Sequence, residues 1–314
     1  MRIVKTAWRA ALLAAILGPA LAACGPESYT PGQDGSAPPM SVAQARALVR
    51  DTILHYPGRS AAPRIVLWSP ASPFKEYDLS HVLVTSSLLA VGATNHETFV
   101  IRLAAADPTL RDVGSHPWLS MPWSDPRFPG YEILEIYFQA SSSGSSPEPG
   151  KRLVDALAVL KQAAQTGIGE NTPEDDARFA QAAKAYRGVA PKPLPGEDVR
   201  RYVVQATAAI RNKDFYGAAE FYEQATDLAP WWPQGRYDRA LVLAAIGEYG
   251  DAAREMQRYL ALVPNAANAR QMQDKIYEWQ AQAPTAAPAA AIAAPTAPAP
   301  SSLFGGAQHA LQSK

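Results

Sequence analysis

The chain has 314 residues, with 29 basic and 29 acidic side chains, 28 prolines, 7 tryptophans and 1 cysteine, which is room for about two domains. A formal charge of zero supplies no field for a polyanion, which argues against nucleic-acid binding, and one cysteine allows neither an intramolecular disulfide nor a thiolate zinc cluster. At 47% hydrophobic and 18% charged, the chain has the apolar content for folded cores, so global disorder is excluded.

Residues 1–23 run from a basic start (Arg2, Lys5, Arg9) through the apolar stretch 10–17 to a small-residue end. That is the pattern of a secretory signal, whose apolar core is too short for a permanent membrane span. Cys24 follows. The tetrapeptide Leu21-Ala22-Ala23-Cys24 resembles the lipobox of bacterial lipoproteins, whose cysteine is acylated on sulfur and becomes the mature N-terminus. The alternative is an ordinary signal with an incidental cysteine after the cut. Each buried CH₂ of an acyl chain contributes about 0.8 kcal/mol, so two or three chains anchor stably. Gly25 rather than aspartate follows the cysteine; by the same resemblance this favours the outer membrane, facing the periplasm. Removing 1–23 leaves 26 basic against 29 acidic groups, a slightly acidic mature chain.

Residues 24–39 have the composition of a flexible tether, and 283–314 form an Ala/Pro-rich tail expected to be disordered, with Lys314 its one charged residue. Between them, 41–56 reads as a helix with a capping box, Ser41 and Gln44, ended by Pro57-Gly58. Strand-like runs follow at 64–69, 82–92, 98–104 and 131–139, rich in β-branched and aromatic residues. An amphipathic helix over 151–165 carries Leu153, Val154, Leu157 and Leu160. Strands closed by one helix resemble a small PH-like barrel or roll, so the expectation for 40–166 is an α+β, PH-like domain.

From 172 to 282 the chain reads as helical, opening on Thr172 as cap and Pro173 at the first position. Offset by 34 residues, Ala206 matches Ala240, Phe215 matches Tyr249, Ala218 matches Ala252, Leu228 matches Leu262 and Pro230 matches Pro264. A fixed period of this length means stacked helical units. Tyr202, Ala206, Ala209, Ala218, Tyr222, Ala225 and Pro230 fall where tetratricopeptide (TPR) repeats place their large, small, aromatic and proline positions. The chain thus resembles a bacterial TPR lipoprotein, with repeats at 199–232 and 233–266 and a covering helix on each side. Arg236 and Tyr259 depart from the pattern, standing where the family has a large apolar and a small residue.

Catalytic and metal signatures are weak. His96-Glu97 begins like a zincin helix without its second histidine, and 144–151 has the wrong spacing and two prolines for a phosphate loop. The histidines at 55, 81, 96, 116 and 309 lack ligand spacing, and Glu132 and Glu135 lie three apart in a strand-like run, on opposite faces. The expectation is therefore no catalytic residue, no metal and no cofactor. Trp118 and Trp123, in what reads as a loop over 116–130, are either a platform for a partner or a lid.

By the TPR resemblance, the peptide-binding face comprises Arg200, Val203, Thr207 and Arg211 in the first repeat and Gln234, Tyr237 and Leu241 in the second. The lysine/asparagine pattern that clamps a C-terminal carboxylate is absent, since Val203 and Asp238 occupy two of its places. The combined expectation is an α+β chain in which a PH-like barrel is followed by a TPR array. It would be lipidated at Cys24 and would act as a non-catalytic adaptor or assembly factor that binds other envelope proteins or peptides. The alternatives are a lipid or glycan ligand for the N-terminal domain, or an envelope enzyme with its site in 40–166.

Overall fold

A computed structural model describes residues 28–31, 40–56, 61–112, 116–138, 148–166 and 173–283. The signal (1–23), Cys24 and the tail beyond 283 lie outside the described residues.

Alternation of apolar and polar residues builds the first layer. Among the described residues, one antiparallel sheet holds β1 (Ser28–Tyr29), β2 (Arg64–Trp68), β3 (Lys75–Val84), β4 (Leu88–Ala93), β5 (Thr98–Arg102), β6 (Thr109–Arg111), β7 (Trp118–Pro122) and β8 (Ile133–Tyr137). Their order is β1-β6-β7-β8-β2-β3-β4-β5. Ile65 and Leu67 of β2, Leu134 and Ile136 of β8, and Leu119 and Met121 of β7 share one face. That face is buried under α1 (Val42–Leu54) and α2 (Glu148–Thr166), which contribute Val49, Ile53, Leu153, Val154 and Leu157. Each such side chain stabilises the fold by about 1.5–3 kcal/mol. The capping box of α1 is formed: Ser41 Oγ accepts from the Gln44 amide at 3.2 Å, and Gln44 Oε1 accepts from the Ser41 amide at 2.9 Å.

The expected closed PH-like barrel is not formed. The sheet is open, with β1 and β5 at opposite edges. Side chains from the β7–β8 connection cover the β5 edge where a backbone partner would sit: Trp123 Nε1 donates to the Val100 carbonyl at 3.0 Å and Arg127 to the Thr98 carbonyl at 2.6 Å. Trp123 and Phe128 also pack on Phe99. The helix expected to close the barrel instead lies as α2 beside α1.

Three stretches differ from the sequence reading. The run 82–92 is a hairpin, because Thr85 Oγ1 accepts from the Ser87 and Leu88 amides and turns the chain without glycine or asparagine. The loop expected over 116–130 contains β7. The tether expected over 24–39 is held at β1, where Ser28 pairs with Arg111 and Tyr29, 5% exposed, donates to Asp155 at 3.0 Å.

The helical half comprises α3 (Pro173–Gly188), α4 (Glu197–Arg211), α5 (Phe215–Leu228), α6 (Pro233–Ala245), α7 (Tyr249–Leu262) and α8 (Ala269–Gln282). Helices α4 and α5 pair as one hairpin and α6 and α7 as the next, stacked through α5 and α6. Ala206, Ala209, Ala218 and Ala225 are buried, letting the backbones approach closely. Helix α8 packs on α7 through Met272, Ile276 and Trp279, while Tyr277 is exposed. Helix α3, expected to cover the first repeat, packs on α7. Its Phe179 lies beneath the guanidiniums of Arg236 and Arg258, and Tyr186 stacks on Trp231.

The two halves share a buried seam. Strand β4 is buried along its whole length: its Leu88 and Ala90, with Leu83 near the end of β3, pack into the helical core, while its Leu89 and Val91, with Val82 of β3, pack into the sheet core. That double burial explains why 82–92 reads as a continuous apolar run.

Candidate functional site

The predicted peptide-binding residues divide by accessibility. Arg200, Arg211 and Gln234 are exposed, and Val203, Thr207 and Tyr237 are half-buried. Leu241, 5% exposed, belongs to the interior cluster of the helical half and is not a contact residue. Val203 packs with Trp231 and Trp232 around Val199, Ala225 and Ala229. The Thr207 hydroxyl donates to the Val203 carbonyl at 2.8 Å. The reachable part of the α4/α6 face is therefore polar at its margins, with Tyr237 as its aromatic centre. Tyr237 is braced by Tyr259 at 5.3 Å, and Tyr259 donates to Asn268 at 3.1 Å. The departure of Tyr259 from the small residue of the repeat pattern thus supplies the brace. Beside Tyr237, burial pushes the Asp238 carboxyl up to about 7, against the Gln234 amide that donates to it at 2.7 Å.

The opposite side of the hairpins carries a charge network that the sequence did not reveal. Glu223 on α5 faces Arg46 and Arg50 of α1 at 3.3 and 3.2 Å, and Arg239 of α6 at 3.1 Å. Arg239 continues to Glu255 on α7 at 3.2 Å, which also receives Arg236 at 2.9 Å and Arg258 at 3.1 Å. Burial raises both glutamates, but the arginines outweigh it and hold them below the usual carboxylate range. Arg236, the other departure from the repeat pattern, is part of this network. Such a network is costly to break by removing one member, which strands a buried charge.

Towards β3 and β4, Glu248 accepts from Thr85 at 2.6 Å and Ser87 at 2.7 Å, and Asp251 accepts from the Ser86 amide at 3.0 Å. His81 is buried 3.7 Å from Asp214, with its ring against Gly92. Burial lowers its pKa, against the opposing pull of Asp214. Ser80, His81 and Asp214 superficially resemble a nucleophile triad. The Ser80 hydroxyl lies 3.0 Å from His81 Nδ1 but donates to the Gly92 carbonyl at 3.1 Å within a β-bulge, and no Asp214–His81 hydrogen bond is made at 3.7 Å. The set is arranged for packing at the seam rather than for activating a hydroxyl.

On the outer sheet face, Trp118 stacks on Tyr137 at 5.4 Å, and both donate to Glu135, at 3.1 and 2.9 Å. Trp123 is the lid over Phe99. Among the described residues no group of three His, Cys, Asp or Glu side chains is placed to hold a metal ion. No helix among them is long and apolar enough to cross a membrane. No protein-family model matches the chain, and a search of curated proteins finds no match.

Proposed function

We propose that the protein is a lipid-anchored component of the bacterial cell envelope that binds proteins or peptides through its helical hairpins, a TPR-like module. It acts as a non-catalytic adaptor or assembly factor, attached through Cys24 to the outer membrane and facing the periplasm. One observation carries the binding reading. The α5/α7 side of the hairpins is occupied by the sheet and α1 through the Glu223 and Glu248 contacts, while Arg200, Arg211, Gln234 and Tyr237 on α4 and α6 remain reachable. An exposed face with cationic margins and a braced aromatic suits an extended or helical peptide.

Photo-crosslinking residues placed at Arg200 and Gln234 in the native envelope should capture the same protein, and Tyr237→Ala should reduce that capture at least about fivefold with the thermal midpoint within about 3 °C. Undiminished capture in Tyr237→Ala would remove the α4/α6 face as the binding site.

A further inference from the structure

The chain between Cys24 and the sheet is short. Ser28 is held by its pairing with Arg111, and Tyr29 by burial and its hydrogen bond to Asp155. Ser28 lies four residue steps beyond Cys24, and four steps fully extended span at most about 14 Å. A flexible tether running the whole of 24–39 would have let the body tumble at roughly 20 Å from its anchor. The strand removes most of that freedom.

Helix α2, which holds β1 through Asp155 and Lys151, packs on α1, and α1 in turn presents Arg46 and Arg50 to Glu223 of α5. Along that path the helical hairpins begin two helix spacings beyond α2, about 20 Å at 8–10 Å per packed pair.

Resting on the lipid-anchor reading above, we propose that the β1–β6 edge of the sheet, with the first turns of α2, lies against the phospholipid headgroups. The sheet, α2 and α1 then act as a rigid spacer that holds the hairpins off the membrane. The charged side chains at this edge are mixed. Arg111 and Arg152 are exposed and Lys151 half-buried, against Asp112, Glu148 and Asp155, of which Asp155 accepts from Tyr29 and Asp112 from the His116 amide. Chain length rather than net charge therefore sets the orientation, which makes it insensitive to salt.

Acylation of Cys24 leaves any introduced cysteine as the one free thiol. Full-length mature lipoprotein carrying Arg111→Cys or Val204→Cys is labelled with a fluorophore. It is then reconstituted into phosphatidylethanolamine/phosphatidylglycerol vesicles containing a lipid with a nitroxide on its headgroup. Quenching at 111 should exceed that at 204 at least about threefold, in low salt and in 0.5 M KCl alike, where the Debye length has fallen to about 4 Å. Inserting fifteen Gly/Ser residues after Gly25 should abolish the difference. Equal quenching at both positions in protein whose N-terminal peptide carries acyl chains by mass spectrometry would overturn the orientation alone. An N-terminal peptide without acyl chains would overturn the anchor and the orientation with it.

Discussion

Glu220 shows how a single side chain reports on the seam. It is 2% exposed, its Oε2 makes no hydrogen bond, and its Oε1 accepts from Gln224 at 2.8 Å. Burial, with Glu223 nearby, pushes its carboxyl up to about 8, against the opposing pull of Arg50. A carboxyl raised above its unfolded value of about 4.3 contributes stability that is fully present below that value and is lost as pH rises through about 8. Glu220→Gln has no charge to bury. Its melting midpoint should gain on the parent by about 3 °C or more between pH 5 and pH 9, measured by circular dichroism; a constant gap would show that Glu220 ionises without cost. Residues of this kind were illegible beforehand, since Glu220 meets β3 and α1 only after long-range packing.

At the scale of elements, the helix hairpins were legible because their signals are local: small residues on facing helices, an aromatic between them and a proline after each pair. The same period exposes a strained turn. Lys213 and Gly247, 34 residues apart, both adopt left-handed backbone, with φ of 61° and 82°. Glycine does so without steric cost, whereas a side chain costs on the order of 1 kcal/mol. Lys213→Gly should therefore stabilise the protein by about 0.5–1 kcal/mol, read as a rise in the denaturant midpoint with unchanged slope; a fall in the midpoint would mean that the lysine side chain contributes more than its backbone costs. Three strands were missed for equally physical reasons. Strand β1 has two residues and β6 three, too few to show alternation. Strand β7 follows Pro117 and ends on Pro122, and these prolines read as loop signals.

For the whole molecule, the contacts between the two halves matter more than either half alone. The Arg46/Arg50–Glu223 contacts and the Glu248–Ser87 contact fix which side of the hairpins is covered. The location proposed for the protein rests on Cys24. Replacing residues 1–23 by an ordinary cleavable secretory signal together with Cys24→Ala should, relative to the parent, abolish incorporation of labelled palmitate and move the protein from the membrane to the soluble envelope fraction. Retention at the membrane would sink the anchor.

The sequence by itself determined the local features: the capping box of α1 and the paired helices 34 residues apart. Caps and periodicity are written within a few residues of one another. Tertiary structure alone decided that the sheet stays open, with Trp123 and Arg127 covering β5 in place of a pairing strand. It also decided that Ser28 and Tyr29 are held rather than free, and that α3 crosses to α7. Most consequentially, it turned Arg236 from an apparent flaw in a repeat into a partner of Glu255. Each of these depends on groups far apart in the chain meeting in a buried, low-dielectric place, where an unpaired charge or carbonyl is too costly to leave.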